Sequence, residues 1–180
     1  MLRWISWLLA FACVPALAAE ECYTAESGEV SFHVMQSGAP YTGKFTRFSG
    51  DLCFTQGRLT RIVASLDPAS VDTGLPELDA ALKEKDFFAV RDHPKVTFSG
   101  SATKSQVDSQ TVRGTLEIKG NKREVEVVLH TKPSGDRMTV SGSLTLDRLQ
   151  YGIGMGDWTN TKWLGAEVKL DINAALTRRK

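Results

Sequence analysis

The chain has 180 residues, of which 42% are hydrophobic and 24% charged, and its formal net charge at pH 7 is +1. These values are typical of one globular domain with a single core. The charge balance argues against a nucleic-acid partner, because binding of that kind depends on a clustered basic face.

Residues 1–18, MLRWISWLLAFACVPALA, have the pattern of a secretory signal peptide. Arg3 supplies a short positive region, residues 4–14 an apolar segment, and Ala16-Leu17-Ala18 a small-x-small cleavage site. The apolar segment is shorter than the roughly 20 residues that a membrane span needs, which disfavours the alternative of a membrane anchor. Cys13 is expected to be removed with this segment. We therefore expect a mature single domain of residues 19–180, located in the periplasm.

Two cysteines, Cys22 and Cys53, remain after this cleavage, and an oxidising compartment makes such a pair a disulfide candidate. If residues 30–35 and 41–54 form a hairpin that turns near Ser37-Gly38, antiparallel pairing places Cys22 opposite residues 53 to 55. A bridge there would close a loop of about 31 residues. The alternative is a pair of buried thiols that do not meet, because the segment AESGE can break the strand and shift its register.

Hydrophobic residues alternate with a period of two through most of the mature chain. The segment VSFHV places Val30, Phe32 and Val34 on one face. The segment REVEVVLH places Val125 and Val127 inward in the same way. The pattern recurs in FSGDLCF, LTRIVASL, KVTFSGS, TVRGTLEIKG, RMTVSGSLTLD and AEVKLDI, with turn clusters such as KGNK and PSGD between them. About eight strands with this spacing predict an all-β fold, either an antiparallel sandwich or a barrel.

The segment GLPELDAALKEK interrupts this alternation with helical spacing. Leu75, Leu78 and Leu82 recur at intervals of three and four residues. Pro76 suits the first turn of a helix, and Lys83 lies near the end, where the helix dipole favours a cation. The segment therefore predicts one short helix between strands.

The dipeptide Phe87-Phe88 directly follows this helix and precedes a strand. Such a position lies where a helix packs over one end of a sheet. One interpretation is that the two rings form a hydrophobic plug beneath the helix. The other is that they line the mouth of a cavity.

Three segments in chain order carry a family signature: YTGKFTRFSGDL, ASLDPASVDTGLPELDAALKEKDFFAVRDHPKVTFSG and VRGTLEIKGNKREVEV. Together they resemble the YceI-like family of secreted, lipocalin-like barrels, and the resemblance covers nearly all of the mature chain. Its most specific part is the collinear DFF with Pro94 and Phe98. The chain departs from the family at Glu77-Leu78-Asp79, where family members frequently have Arg-Asp. We therefore assign Glu77 no role in binding the headgroup of a lipid ligand.

The resemblance implies an eight-stranded antiparallel lipocalin-like barrel with one short helix between strands 3 and 4. It also implies an apolar lumen that holds a long-chain isoprenoid lipid, such as a polyprenyl phosphate or an isoprenoid quinone, with no other cofactor. An eight-stranded barrel is wide enough to hold one small ligand. The residues expected at the lumen or its mouth are Phe32, Phe45, Phe48, Phe54, Phe87, Phe88, Phe98, Leu116, Ile118, Trp158 and Trp163. The alternative for each interior position is an ordinary core residue.

The C-terminal segment LDRLQYGIGMGDWTNTKWLGAEVKLDI has glycine at positions 152, 154 and 156, followed by Asp157 and Trp158. It resembles a branch of the family in which some members occur beside, or fused to, di-haem b-type membrane cytochromes, which implies such a cytochrome as a partner. No helix follows the glycines, so they make a weak nucleotide-binding fingerprint. One interpretation is a tight connection whose Trp158 and Trp163 cap one barrel end. The other is a lid over a ligand.

The sequence gives little indication of catalysis or metal binding. His33, His93 and His130 fall on separate segments without the spacing of a ligand pair, so we expect no metal site. No nucleophile elbow or zinc-protease helix motif is present, and no catalytic residue is predicted. Two functions remain: a periplasmic binding or carrier protein for an isoprenoid lipid, and an accessory protein that docks on a cytochrome without carrying a ligand. The sequence leaves the oligomeric state open, with a dimer as one possibility.

Overall fold

The computed structural model describes residues 19–179, so the predicted signal peptide lies outside the described residues. These residues form ten strands and one α-helix. The elements are β1 (Glu20–Gln36), β2 (Ala39–Phe45), β3 (Phe48–Thr55), β4 (Arg58–Leu66), β5 (Val71–Asp72), α1 (Pro76–Lys83), β6 (Val96–Ser105), β7 (Ser109–Ile118), β8 (Asn121–Ser134), β9 (Arg137–Asp147) and β10 (Leu164–Arg178).

Eight of these strands close into an antiparallel barrel. The ring runs β1-β3-β4-β6-β7-β8-β9-β10 and returns to β1. The closing pair is β1 with β10, which extends from Tyr23 opposite Arg178 to Gln36 opposite Leu164. The predicted eight-stranded barrel is confirmed, and α1 lies between the third and fourth ring strands in chain order, as expected.

The long strand β1 has two successive partners on its other edge. Its first residues pair with β3, and residues 30–36 pair with β2. The chain bends between β2 and β3, where the Ser70 hydroxyl accepts hydrogen bonds from the backbone N–H groups of Thr46 (3.2 Å) and Arg47 (3.0 Å). β5 then pairs with the end of β2, so this edge extends beyond the ring.

Alternation in the strand sequences sets which side chains point inward. On β7, Gln110, Val112, Gly114, Leu116 and Ile118 are buried, while the residues between them are more exposed. A period of two is the side-chain repeat of a strand, so one face of each strand lines the barrel interior. The inward face predicted from the sequence is therefore the observed one on this strand.

Helix α1 lies over one end of the barrel. Pro76 occupies its first turn with Glu77, and Lys83 occupies its last turn, in agreement with the helix dipole. The Asp79 carboxylate accepts hydrogen bonds from the backbone N–H (2.8 Å) and hydroxyl (2.7 Å) of Thr73 and thereby fixes the helix to the preceding segment. Leu75, which the helical spacing included, lies just before the helix and is exposed.

The predicted disulfide is confirmed: Cys22 is bonded to Cys53, and the two residues lie directly opposite each other in the β1–β3 pairing. The segment AESGE does not interrupt β1 but contains an irregularity between Ala25 and Ser27. Gly28 follows with a φ of 156°, and a side chain there would collide with the Phe48 ring. The absence of a side chain at Gly28 therefore leaves room for the Phe48 ring against β1.

Replacing both Cys22 and Cys53 by serine should lower the free energy of unfolding by about 3 to 4 kcal/mol. The crosslink spans 31 residues and restricts the unfolded chain. For a domain of this size the thermal midpoint should fall by roughly 10 °C. Thermal unfolding is measured for the wild type, for the double serine variant, and for the wild type in the presence of a reducing agent. A thermal midpoint that neither the substitution nor the reductant lowers would contradict the expectation.

Within residues 19–179, no helix has both the length and the apolar composition that a membrane span requires.

Candidate functional site

The barrel interior is hollow in its middle and at the end covered by α1. The upper chamber, beneath α1, has a volume of about 140 Å³ and is lined by side chains from β1, β2, α1 and the segment after β9. The lower chamber, at mid-barrel, has a volume of about 160 Å³. Val30, Leu66, Val96 and Leu170 line both chambers, so the two chambers adjoin, and we refer to them together as the lumen. Ligand pockets typically enclose about 300–1,000 Å³, and the combined lumen lies at the narrow end of that range.

The walls of this lumen are almost entirely apolar. The polar residues of the upper chamber are Gln36, Tyr41 and Arg148, and those of the lower chamber are Ser65 and Thr97. A surface of this kind attracts apolar groups by removing them from water and offers few hydrogen bonds. The lumen is therefore suited to a slender apolar chain.

A packed core closes the far end of the barrel. Tyr23, Phe54, Leu59, Val112 and Met138 belong to its buried cluster. Gln110 is 1% exposed at this end. Its Oε1 accepts hydrogen bonds from the Leu59 N–H (3.2 Å) and the Ser105 hydroxyl (2.6 Å), and its Nε2 donates to the carbonyl oxygens of Gly57 (3.2 Å) and Gln106 (3.3 Å).

The amide of Gln110 is thus fully hydrogen-bonded, which makes its burial favourable. The lumen has a closed floor at this end.

Phe87 and Phe88 lie in the first of two segments that cover the lumen. Both line the upper chamber together with Leu78 and Leu82 of α1. The Phe88 ring packs edge-on against Phe45 at 5.4 Å between centroids, and Phe87 is 6% exposed. The two interpretations of the dipeptide therefore converge, since the rings lie beneath the helix and also form part of the chamber wall.

Residues 148–164 form the second cover, and a buried arginine organises them. Arg148 is 2% exposed. All five of its N–H groups donate to backbone carbonyl oxygens at 2.7 to 2.8 Å. These carbonyls belong to Ile153, Gly154, Trp158, Leu164 and Gly165.

Burial lowers the pKa of the Arg148 guanidinium, and the neighbouring Asp147 carboxylate opposes this shift. Because carbonyl oxygens occupy every donor, Arg148 offers no free N–H to a ligand. Gly154 has a φ of 68°, and a Cβ at this position would collide with the guanidinium. The absence of a side chain at Gly154 thus makes room for the Arg148 guanidinium rather than for a bound phosphate.

The two covers are joined to each other and to the β7–β8 turn. The Lys119 ammonium donates to the carbonyl oxygens of Lys85 (2.6 Å) and Gly152 (2.8 Å). The Met155 N–H donates to the Asp86 carbonyl oxygen at 2.9 Å, and the Phe87 and Trp158 rings pack at 5.7 Å between centroids.

Burial lowers the pKa of the Lys119 ammonium, and the nearby Asp86 carboxylate opposes this shift. Trp158 lines the upper chamber and is 37% exposed, so its ring extends from the chamber wall to the outer surface between these covers.

The structure brings together most of the residues expected at the lumen. The upper chamber contains Phe32, Phe45, Phe87, Phe88, Ile118 and Trp158, and the lower chamber contains Phe48, Phe98 and Leu116.

Two predicted residues lie elsewhere. Phe54 packs edge-on against Tyr23 in the closed floor, because the interior near the disulfide is filled with side chains. Trp163 is 61% exposed and lies outside the set of residues that line the two chambers.

Sequence reasoning missed Arg148 and Gln110. Each is one polar residue within or beside an alternating strand, a pattern typical of solvent exposure. The glycines at 152 and 154 were the available signal for Arg148, since a glycine can mark close approach by another group. The identity of that group depends on the tertiary structure.

Glu20, Cys22 and Cys53 form the group of potential metal ligands that lie within 4.8 Å of one another among residues 19–179. The two sulfur atoms are joined in the disulfide. Metal binding by cysteine requires a thiolate. The two cysteines therefore form a structural crosslink next to the Glu20 carboxylate and offer no thiolate to a metal ion.

Comparison with known proteins agrees with this architecture. The family model described as YceI-like domain matches residues 23–176. The chain belongs to the YceI-like family. A UPF0312 protein of Staphylococcus epidermidis is 34% identical over 73% of this chain and 81% of its own length. A UPF0312 protein of Pseudomonas aeruginosa is 27% identical, with 70% and 71% covered.

Solved structures show the same fold. BcnA of Burkholderia cenocepacia superposes with a TM-score of 0.77 at 26% identity, covering 82% of this YceI-like chain and 95% of BcnA. A polyisoprenoid binding domain from Saccharophagus degradans superposes with a TM-score of 0.73, covering 87% and 98%. Its identity is 15%, so this second likeness concerns the fold alone.

Proposed function

We propose that this YceI-like protein binds a long-chain isoprenoid lipid, such as a polyprenyl phosphate or an isoprenoid quinone, inside the barrel. The observation that carries the proposal is the pair of adjoining apolar chambers, closed at the floor of the barrel and covered at its other end. The domain of the same fold from Saccharophagus degradans is a polyisoprenoid binding domain, so a barrel of this fold can hold that class of ligand. The role proposed is that of a binding or carrier protein, with no chemical change of the ligand.

Apolar contact is sufficient for such binding. Each buried methylene contributes about 0.8 kcal/mol, so ten carbons of a tail contribute roughly 8 kcal/mol before the costs of association. Among residues 19–179, the cation that lines the chambers is Arg148, and backbone carbonyl oxygens occupy all of its donors. A charged headgroup would therefore be better solvated near the mouth than within the chambers.

We also propose a periplasmic location after removal of residues 1–18. The Cys22–Cys53 disulfide supports this, because disulfides persist in oxidising compartments. The implied association with a membrane b-type cytochrome stays a prediction.

Solvent extraction tests the proposed function. The protein is expressed as the full chain in its native host, purified from the periplasmic fraction without detergent and extracted, and the extract is analysed by mass spectrometry. We expect about one isoprenoid lipid per protein and an N-terminus at Ala19. If extraction yields no isoprenoid, and incubation with either an isoprenoid quinone or a polyprenyl phosphate produces no complex, the proposed ligand class is wrong.

A further inference from the structure

Large apolar side chains are exposed at the mouth end of the barrel. Met35, Met155, Trp158 and Trp163 are 37% to 61% exposed, and we call this group the mouth rim. The Ser37 N–H donates to the Trp163 carbonyl oxygen at 2.8 Å, which places Trp163 beside the β1–β2 turn. Met35 lies on the adjoining end of β1. The group thus lies at the end of the barrel that α1 and residues 148–164 cover.

The backbone that carries both tryptophans is firmly held. Arg148 donates at 2.7 Å to the carbonyl oxygens of Trp158 and of Leu164, the residue after Trp163. The Trp163 N–H donates to the Asn160 carbonyl oxygen at 3.0 Å. A buried, fully bonded arginine therefore presents an exposed indole on a preorganised loop. Preorganisation of this kind reduces the entropy lost when a surface meets its partner.

The mouth rim is continuous with the lumen. Trp158 forms part of the upper chamber wall and packs against Phe87, yet more than a third of it is exposed. A ligand tail that passes Trp158 therefore moves from the outer surface to the chamber along apolar groups.

The charges of this loop favour an uncharged or zwitterionic partner. Asp157 and Lys162 are both exposed and of opposite sign, and the cation of Arg148 is buried among carbonyl oxygens. Tryptophan has an apolar ring with a polar N–H, and it concentrates at membrane–water interfaces for that reason.

We propose that the mouth rim inserts into the headgroup region of a lipid bilayer, so that the lumen opens toward the membrane that supplies or receives the ligand. This inference rests on the proposed function for the choice of a bilayer over a protein partner. It assigns the exposed Trp163, which lies outside the chamber lining, to membrane contact.

Vesicle co-sedimentation tests the mouth rim, using protein expressed as the full chain and vesicles of phosphatidylcholine. Trp163→Ala should weaken the partition of the protein onto vesicles about tenfold, because the substitution removes the exposed indole and its apolar contact with the interface. Val107→Ala is the matched control. Val107 is 93% exposed in the β6–β7 turn at the opposite end of the barrel, so its replacement should leave partition unchanged.

Ligand loading without vesicles separates this inference from the proposed function. Trp163→Ala should take up an isoprenoid quinone from dilute detergent as the wild type does, because Trp163 lies outside the chamber lining. If the wild type binds vesicles through Trp163 but takes up no isoprenoid, the ligand proposal fails and the membrane contact stands.

Three results would overturn the membrane contact: equal partition of the wild type and Trp163→Ala, binding solely to vesicles that contain a membrane protein, or a concentration-dependent dimer that Trp163→Ala abolishes. The last result would identify a second copy of the chain as the occupant of the mouth rim.

Discussion

Replacing Arg148 by methionine should lower the free energy of unfolding by about 3 to 5 kcal/mol, because the substitution leaves buried carbonyl oxygens without donors. The guanidinium joins the end of β9, the glycine-rich loop and the start of β10 through five hydrogen bonds. Methionine has a similar length but no donor. Urea unfolding of the wild type and the variant measures the difference.

Arg148→Lys should cause an intermediate loss. Lysine retains the charge but concentrates its three donors on one nitrogen, which cannot reach carbonyl oxygens spread around a planar guanidinium. Arg113→Met is the matched control. Arg113 forms an exposed ion pair with Glu126 at 3.4 Å, and such pairs contribute about 0 to 1 kcal/mol. Equal stability of the Arg148 and Arg113 variants would show that the arginine does not hold the loop.

Replacing Ala64 by phenylalanine should reduce the isoprenoid bound per protein at least about tenfold, or limit it to shorter tails, because the new ring fills the lower chamber. Ala64 lies on β4, faces the lumen and pairs with Phe98 of β6. The chamber has about 160 Å³ of space, so overpacking should cost less than the about 1 to 3 kcal/mol found in dense cores.

Val63→Phe is the matched control for this substitution. Val63 precedes Ala64 on the same strand, but it is 46% exposed on the outer wall. Its replacement adds a ring without entering the lumen, so the lipid content should equal that of the wild type. Mass spectrometry of the extract and the thermal midpoint are measured for both variants. Unchanged lipid of unchanged chain length in Ala64→Phe would place the ligand outside the lower chamber.

The sequence by itself indicated most of the strands, the helix and the candidate disulfide. Local rules suffice for these features: a period of two gives a strand with one inward face, and Pro76 with Lys83 marks the two ends of a helix. The pairing of Cys22 with Cys53 followed from the length of the hairpin between them. Each of these features depends on residues that are near in sequence or on a register that one turn fixes.

The tertiary structure decided which inward side chains enclose space and which fill it. Phe48 and Phe54 belong to the same short strand, yet Phe48 lines the lower chamber and Phe54 packs in the floor. Trp158 and Trp163 belong to one loop, yet Trp158 alone of the two lines the upper chamber. A cavity depends on the volumes contributed by all eight strands at one level of the barrel, which no single segment contains. Arg148 is buried for a similar reason, since its five carbonyl partners come together when the loop folds back on the barrel end.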